Sequence, residues 1–85
     1  MIRYDFTKHA EKDFFVPPKN IQKRIIDKLG FYLNSNNPLA FARRIVGMPQ
    51  PVYRFRIDDY RVIFDWKGDS ILILKIGHRS EIYRR

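Results

Sequence analysis

The sequence predicts a small α+β fold of the order β-α-α-β-β-β, in which two N-terminal helices pack on one face of a mainly antiparallel sheet. Apolar residues recur at helical spacing in the first half of the chain and alternate with polar residues in the second half. A tight turn at Asp58-Asp59 joins two of the alternating segments into a hairpin. With 85 residues, of which 45% are hydrophobic, we expect one domain over residues 1–85.

The N-terminal half predicts one strand and two helices. Residues 2–6 alternate apolar and polar side chains, which indicates a short strand, and Thr7 is suited to cap a helix over 8–15. The pair Pro17-Pro18 ends that helix and starts the next one. The second helix carries one apolar stripe, formed by Ile21, Ile25, Leu29, Tyr32 and Leu33.

The middle of the chain is less regular. Residues 34–38, NSNNP, have the composition of a loop, and residues 39–46 are compatible with a helical turn or with irregular structure. The segment GMPQP then leads into the first hairpin strand.

Three strands are predicted in the C-terminal half, at about 52–57, 60–67 and 70–77. Alternation places the apolar members of the first two strands on the face that packs under the helices, namely Tyr53, Phe55, Ile57, Tyr60, Val62, Phe64 and Trp66. The opposite face carries Arg54, Arg56, Arg61, Ile63 and Asp65. A two-residue turn sets Arg56 directly opposite Arg61, an arrangement that destabilises a sheet by charge repulsion.

In the third strand both the odd-numbered and the even-numbered positions are apolar, so the sequence allows two registers for its pairing with the second strand. A three-residue turn or a bulge adds Leu72, Leu74 and Ile76 to the core and Lys75 and Arg79 to the basic face. A two-residue turn at Gly68-Asp69 instead directs His78 toward the arginines. We favour the first register, in which His78 has the core-side parity.

The composition excludes several classes of site and partner. The chain has 17 Lys and Arg against 9 Asp and Glu, a net charge of +8, which favours a polyanion such as nucleic acid or an acidic protein. It has no cysteine, apolar signal segment or membrane-span candidate, so we expect a soluble cytoplasmic protein. Neither His9 nor His78 belongs to a set of three or more ligands at metal-binding spacing, and we expect no metal and no cofactor.

The arginines on one sheet face predict a phosphate-binding surface. Converging guanidinium groups repel one another until an anion lies among them, and arginine binds phosphate oxygens through paired hydrogen bonds. The alternative is that the side chains are solvated and partly offset by Asp58, Asp59 and Asp65. Those carboxylates lie in the turn and at the far end of the strand, so they are poorly placed to neutralise the centre.

Two segments carry a family resemblance, LAFARRIVGMPQPVYRFRIDDYRVIFDW and KIGHRSEIYRR, which include the combination GMP, YRFR, YRVIF and GHRSEIY. Over nearly its whole length the chain resembles the RelE/ParE superfamily of toxins from toxin-antitoxin modules, and within it the RelE branch. The resemblance implies an endoribonuclease, an mRNA interferase that cleaves messenger RNA, typically in the ribosomal A site. The implied chemistry is metal-independent attack of the RNA 2′-hydroxyl on the adjacent phosphate.

The resemblance also implies roles for individual residues. Arg54, Arg56, Arg61, Arg79 and Tyr83 fall on family positions that bind the scissile phosphate, stabilise the transition state and assist proton transfer. The best-known members have lysines where Arg54 and Arg56 stand, and arginine is a poor general base because it stays protonated. The general base is therefore either Tyr83 or His78, the latter because imidazole titrates near neutrality.

Two other functions fit the same residues. One is a ParE-like inhibitor of DNA gyrase without nuclease activity, and the other is a basic RNA-binding module without catalysis. The nuclease is favoured because a pure binder has no need of the constellation Arg61, Arg79 and Tyr83.

Partners follow from the resemblance and the charge. We expect a cognate antitoxin with an acidic, amphipathic neutralising segment, in a toxin-antitoxin hetero-oligomer or with the toxin free as a monomer. The ribosome and messenger RNA are the expected functional partners. Candidates for RNA phosphate contacts are Arg43, Arg44, Lys19, Lys23, Arg84 and Arg85.

Overall fold

The computed structural model describes residues 2–83 and has the predicted α+β architecture. The elements are β1 (Arg3–Phe6), α1 (Lys8–Phe14), α2 (Lys19–Leu33), a 3₁₀ turn (Pro38–Phe41), β2 (Ala42–Arg44), β3 (Val52–Ile57), β4 (Tyr60–Trp66) and β5 (Ser70–His78). Thr7 caps α1 as predicted, since its hydroxyl oxygen accepts a hydrogen bond from the Ala10 N–H at 3.0 Å. Pro18 occupies the N-cap of α2.

The five strands form one mixed sheet in the order β1-β5-β4-β3-β2. Only the β1–β5 pair is parallel, and the other three pairs are antiparallel. The short strand β2 was not predicted, because the segment expected to be a turn or irregular becomes a 3₁₀ turn followed by three strand residues. Its pairing places Arg43 directly opposite Arg54.

The core lies between α2 and one face of the sheet, as the alternation predicted. Ile25, Leu29 and Leu33 of α2 are buried against Phe55 and Phe64 of the sheet. The Phe55 ring stacks on Phe64 at a centroid distance of 4.5 Å. The helix-side face of the sheet is therefore apolar and closed, and the polar members of β3 and β4 are directed to the opposite face.

The third strand has a different register from the one we favoured. A two-residue turn at Gly68-Asp69 pairs Trp66 with Ile71, so that Ile71 and Ile73 enter the core; Leu72 and Leu74 do not, and that prediction was wrong. A bulge follows, because Phe64 pairs with Ile73 while Ile63 pairs with Lys75, which leaves Leu74 unpaired.

The bulge restores the parity for the end of β5. Beyond Leu74, Ile76 is buried in the core as predicted, and Lys75 lies opposite Ile63 on the other face. His78 follows Ile76 on the helix-side parity and pairs with Tyr60. The two-residue turn and the bulge together therefore place His78 on the helix-side face of the sheet, the face expected for it from a three-residue turn.

The turn between β3 and β4 is tied to α2. Asp58 has φ of +55°, a left-handed conformation that Asp and Asn tolerate better than most residues. Its carboxylate accepts hydrogen bonds from Arg24 of α2, including one from Nη2 at 2.9 Å. The hydrogen bond from Arg24 is the main cause that lowers the pKa of Asp58 below its ordinary value; desolvation acts in the opposite direction, and the charges of Arg24 and Lys28 lower the pKa further.

This pair predicts a pH-dependent stability difference. A carboxylate whose pKa is lower in the folded than in the unfolded state stabilises the fold above its unfolded pKa, and that contribution is lost as the pH falls through the folded pKa. Asp58→Asn keeps a residue suited to positive φ but removes the charge. We expect the variant to be less stable than the parent near neutral pH and to converge with it in acid, as measured by urea unfolding at a series of pH values. A gap that stays constant in acid would contradict the assignment.

None of the helices within residues 2–83 is both long and apolar enough to cross a membrane.

Candidate active site

The sheet face opposite the helices gathers arginine side chains with Tyr83 of the C-terminal tail. We call the set Arg54, Arg56, Arg61 and Tyr83 the arginine face. Arg56 pairs directly with Arg61 across the hairpin, as the turn predicted. Arg54 Nη1 donates a hydrogen bond to the Tyr83 hydroxyl oxygen at 2.8 Å, and its guanidinium carbon lies 5.8 Å from the centre of the Tyr83 ring.

Arg61 lies at the centre of this surface and is only 7% exposed. Its Nη1 donates to the backbone carbonyls of Asp58 at 3.0 Å and Tyr60 at 2.9 Å, which orients the guanidinium. Burial lowers the pKa of Arg61 from its ordinary value, and the charges of Arg56, Arg54 and Arg79 lower it further, while Tyr83 acts in the opposite direction. The fold therefore holds this cation in surroundings that disfavour positive charge.

The nearby carboxylates pair elsewhere. Asp58 forms an ion pair with Arg24, and Asp65 forms one with Lys67, whose Nζ lies 3.1 Å from Asp65 Oδ2. Asp59 lies 3.5 Å from Arg79 Nε. Within residues 2–83, no carboxylate oxygen comes within 4.0 Å of a nitrogen of Arg54, Arg56 or Arg61.

Arg54 also carries a donor that the described residues leave unsatisfied. Its Nε atom is buried and has no hydrogen-bond partner within residues 2–83. A buried donor without a partner is costly, so the fold places Arg54 here at the expense of one hydrogen bond. The positive charge that no carboxylate offsets within residues 2–83 favours a bound anion such as phosphate.

The tail returns over the sheet directly after β5. The Arg79 N–H donates to the Asp59 carbonyl at 2.7 Å, and the His78 carbonyl accepts from the N–H groups of Glu81 and Ile82, each at 2.9 Å. This single turn reverses the chain and brings Tyr83, five residues after the end of the strand, back to Arg54. Arg79 lies at the rim, beside the hairpin turn.

His78 is not brought to the arginine face. Its ring packs edge-on against Tyr60 on the helix-side parity, at a centroid distance of 5.5 Å. Its Nδ1 accepts the Ser80 N–H at 3.1 Å and lies 2.8 Å from the Ser80 hydroxyl oxygen, which assigns the ring proton of the neutral imidazole to Nε2. Of the two candidate bases, Tyr83 is therefore the one in contact with the arginines.

The predicted RNA-contacting residues are distributed over both sides of the molecule. Arg43 is exposed and extends the arginine face, since it pairs with Arg54, whereas Arg44 pairs with Tyr53 and has the opposite parity. Lys19 and Lys23 lie on α2, and Lys23 is bonded to Asp27 at 2.9 Å. Arg84 and Arg85 lie outside the described residues.

The structure adds two features that the sequence reasoning missed. Strand β2 places Arg43 next to Arg54, and the only local signal was the β-compatible run ARRIV after Phe41. Ile82 is buried against Gly77, a contact that no periodic pattern in the tail indicates. No group of three or more His, Asp or Glu side chains suited to hold a metal ion is found in the part of the chain that the structure describes.

Comparison with known proteins decides the family. A family model described as the ParE toxin of type II toxin-antitoxin systems matches residues 4–83. The chain belongs to the RelE/ParE toxin superfamily. The toxin is 32% identical over 80 residues to Toxin RelE3 of Methanocaldococcus jannaschii, covering 92% of this chain and 91% of that protein.

Solved structures agree. The toxin matches the RelB-RelE antitoxin-toxin complex from Methanococcus jannaschii with a TM-score of 0.72 and 33% identity, over 93% of this chain and 94% of the other. It matches the archaeal RelE-RelB complex from Pyrococcus horikoshii with a TM-score of 0.70 and 28% identity, over 94% and 97%. The predicted superfamily and fold are therefore confirmed, and the toxin is RelE-like.

Proposed function

We propose that the toxin is an endoribonuclease that cleaves messenger RNA in the ribosomal A site, with the scissile phosphate bound on the arginine face. The observation that carries the proposal is that Arg54 and Arg61 lie on one sheet face with Tyr83 bonded to Arg54, and that no carboxylate is paired to either arginine within residues 2–83. Guanidinium groups held in a partly buried site are suited to stabilise the extra charge of a pentacoordinate phosphorane.

The reaction requires no group beyond the RNA and the side chains. The 2′-oxygen forms a bond to phosphorus as the bond from phosphorus to the 5′-oxygen breaks. The 2′-hydroxyl loses its proton and the leaving 5′-oxygen gains one, so the products carry a 2′,3′-cyclic phosphate and a 5′-hydroxyl. Arg54 and Arg61 orient the phosphate and stabilise its developing charge.

We assign proton transfer to Tyr83. Its oxygen accepts the hydrogen bond from Arg54, and the same cation would stabilise a phenolate there, which takes the proton of the 2′-hydroxyl. The leaving 5′-oxygen takes its proton from water. The orientation of His78 toward Ser80 and Tyr60 favours a structural role for that residue.

Substitution of the two candidate bases distinguishes their roles. Tyr83→Phe is expected to lower the cleavage rate about a hundredfold while RNA affinity changes little, because general acid-base catalysis contributes about 10² to 10⁴ in rate. His78→Gln is expected to cause a clearly smaller loss. The measurement is single-turnover cleavage of a ribosome-bound message. A larger loss for His78→Gln than for Tyr83→Phe would reverse the assignment.

The decisive experiment maps RNA ends. Purified toxin is added to a reconstituted translation reaction, with and without EDTA, and the fragments are sequenced with methods selective for 5′-hydroxyl and cyclic phosphate ends. In the translation reaction we expect cleavage within codons of translated messages. The EDTA test is made on pre-formed ribosome complexes that have been cross-linked so that they stay intact, and there we expect the cleavage rate to be the same with and without EDTA. Intact messages in an active translation mixture would exclude the proposal.

We further propose that a cognate antitoxin neutralises the toxin. Two of the similar solved structures are described as complexes of RelE with RelB, and the net charge of +8 suits an acidic neutralising segment.

A second candidate is inhibition of DNA gyrase. It is favoured by the match of residues 4–83 to a family model described as ParE toxin. A supercoiling assay with purified gyrase separates the two candidates: inhibition of supercoiling with intact RNA would support the second, and RNA cleavage with unaffected supercoiling supports the first.

A further inference from the structure

Tyr83 is an exposed residue that is held at the arginine face by Arg54. The residue is 52% exposed, and its recorded polar and ring contacts within residues 2–83 are one hydrogen bond and one cation–ring contact, both with Arg54. A single exposed hydrogen bond contributes little net stability, because water competes for both partners. The position of Tyr83 must therefore depend on another residue of the tail.

Ile82 is the buried residue of the tail. It is only 2% exposed, although its neighbours Glu81 and Tyr83 are both exposed. Burial of a whole branched aliphatic side chain is a stronger anchor than one exposed hydrogen bond. The two backbone hydrogen bonds to the His78 carbonyl direct this side chain back onto the strand.

Part of the space that the Ile82 side chain occupies is available because residue 77 is glycine. A Cβ atom at Gly77 would lie 2.9 Å from Ile82 Cδ1 and 3.6 Å from Ile82 Cβ. Positive φ does not explain this glycine, since Gly47 and Gly68 have positive φ and Gly77 does not. The absence of a Cβ at residue 77 therefore leaves space that the Ile82 Cδ1 methyl fills.

Gly77 is also placed at the centre of the candidate site. It pairs directly with Arg61 in the β4–β5 ladder, so the tail residue that packs on Gly77 is carried to the arginine face. One residue later, Tyr83 reaches Arg54 on the neighbouring strand. We propose that Ile82 is a positioning residue: its side chain packs into the space over Gly77 and thereby holds Tyr83 against Arg54.

The expected effect of Ile82 on the cleavage rate rests on the proposed nuclease function, whereas its expected effect on the position of Tyr83 does not. Ile82→Ala removes the anchor, whereas Ile82→Val loses only the Cδ1 methyl and keeps the branched Cβ that lies 3.6 Å from the position of a Cβ at residue 77. Gly77→Ala leaves Ile82 unchanged but adds a Cβ atom 2.9 Å from Ile82 Cδ1, so that the flexible Cδ1 end must move aside. Glu81→Ala alters an exposed neighbour in the same turn and is the matched control.

The first measurement does not depend on activity. Nuclear Overhauser effects between the Tyr83 ring and the Arg54 side chain are expected in the parent, in Ile82→Val and in Glu81→Ala, and are expected to be lost in Ile82→Ala and weakened in Gly77→Ala. Retention of the full contact in Ile82→Ala, with the chain folded, would overturn the proposal. Should Ile82→Ala fail to fold, Gly77→Ala decides the question by the same contact.

The second measurement is kinetic. Ile82→Ala is expected to lower kcat for RNA cleavage about tenfold or more while KM changes much less, because a small displacement of a catalytic group is costly in rate. The effect should disappear when Tyr83→Phe is already present, since the anchor then has no catalytic group to position. Equal losses in both backgrounds would overturn the positioning role. Absence of cleavage by the parent would instead refute the proposed function, and the spectroscopic result would still decide the role of Ile82.

Discussion

The double variant Arg54→Ala, Arg61→Ala should cleave RNA more than about a thousandfold slower than the parent, because loss of a single preorganised donor to a transition-state charge costs about 10² to 10³ in rate. Both guanidinium groups lie on the same sheet face, and Arg61 is 7% exposed. Cleavage of a ribosome-bound message under single-turnover conditions measures the loss. Cleavage at the parental rate would exclude the assigned site.

Net charge needs its own control in this experiment. Lys8→Ala with Lys12→Ala also removes two positive charges, from exposed positions on α1, on the helix side of the sheet. That variant should keep most of the activity, since its charges lie away from the arginine face. Equal losses in the two double variants would show that overall charge, and not the site, determines the rate.

The double variant Arg54→Ala, Arg61→Ala should remain folded. The pKa of Arg61 is lowered by burial and by the charges of Arg56, Arg54 and Arg79, so the folded state disfavours this cation, and its removal relieves repulsion. We also expect inorganic phosphate to raise the melting temperature of the parent more than that of the double variant, because a ligand that binds only the folded state stabilises it. An equal phosphate effect on both would contradict anion binding at Arg54 and Arg61.

The largest effect on stability is expected from Phe55→Ala. Phe55 is fully buried and lies between the rings of Phe64 and Tyr32, at centroid distances of 4.5 and 4.8 Å. Loss of such a ring costs about 3 to 5 kcal/mol. Because the free energy of unfolding of a domain is only about 5 to 15 kcal/mol, much of the variant should be unfolded or close to it.

Urea unfolding followed by circular dichroism measures this loss. The matched control is Phe15→Ala, because Phe15 is 66% exposed. Its free energy of unfolding should stay within about 0.5 kcal/mol of the parent. A small loss for Phe55→Ala would mean that the core is not centred on the β3–β4 aromatic residues.

Local sequence chemistry was sufficient for much of the fold. The hydroxyl of Thr7 starts α1, and the turn at Asp58-Asp59 fixes the hairpin register that sets Arg56 against Arg61. The alternation in β3 and β4 then separates Phe55 and Phe64 from the arginines. Each of these follows from contacts between residues close in the chain, for which the period and the turn length are decisive.

Other features were decided only by tertiary structure. The register of β5 depends on a bulge at Leu74, and a strand apolar on both parities carries no pattern that locates a bulge. The pairing of β2 with β3 and the packing of Ile82 on Gly77 join segments whose own sequences are ambiguous. The sequence by itself therefore determined which residues share the arginine face of β3 and β4. Only the assembled sheet decided that the tail carries Tyr83, and not His78, to that face, because the direction of a side chain after a bulge depends on the partner strand.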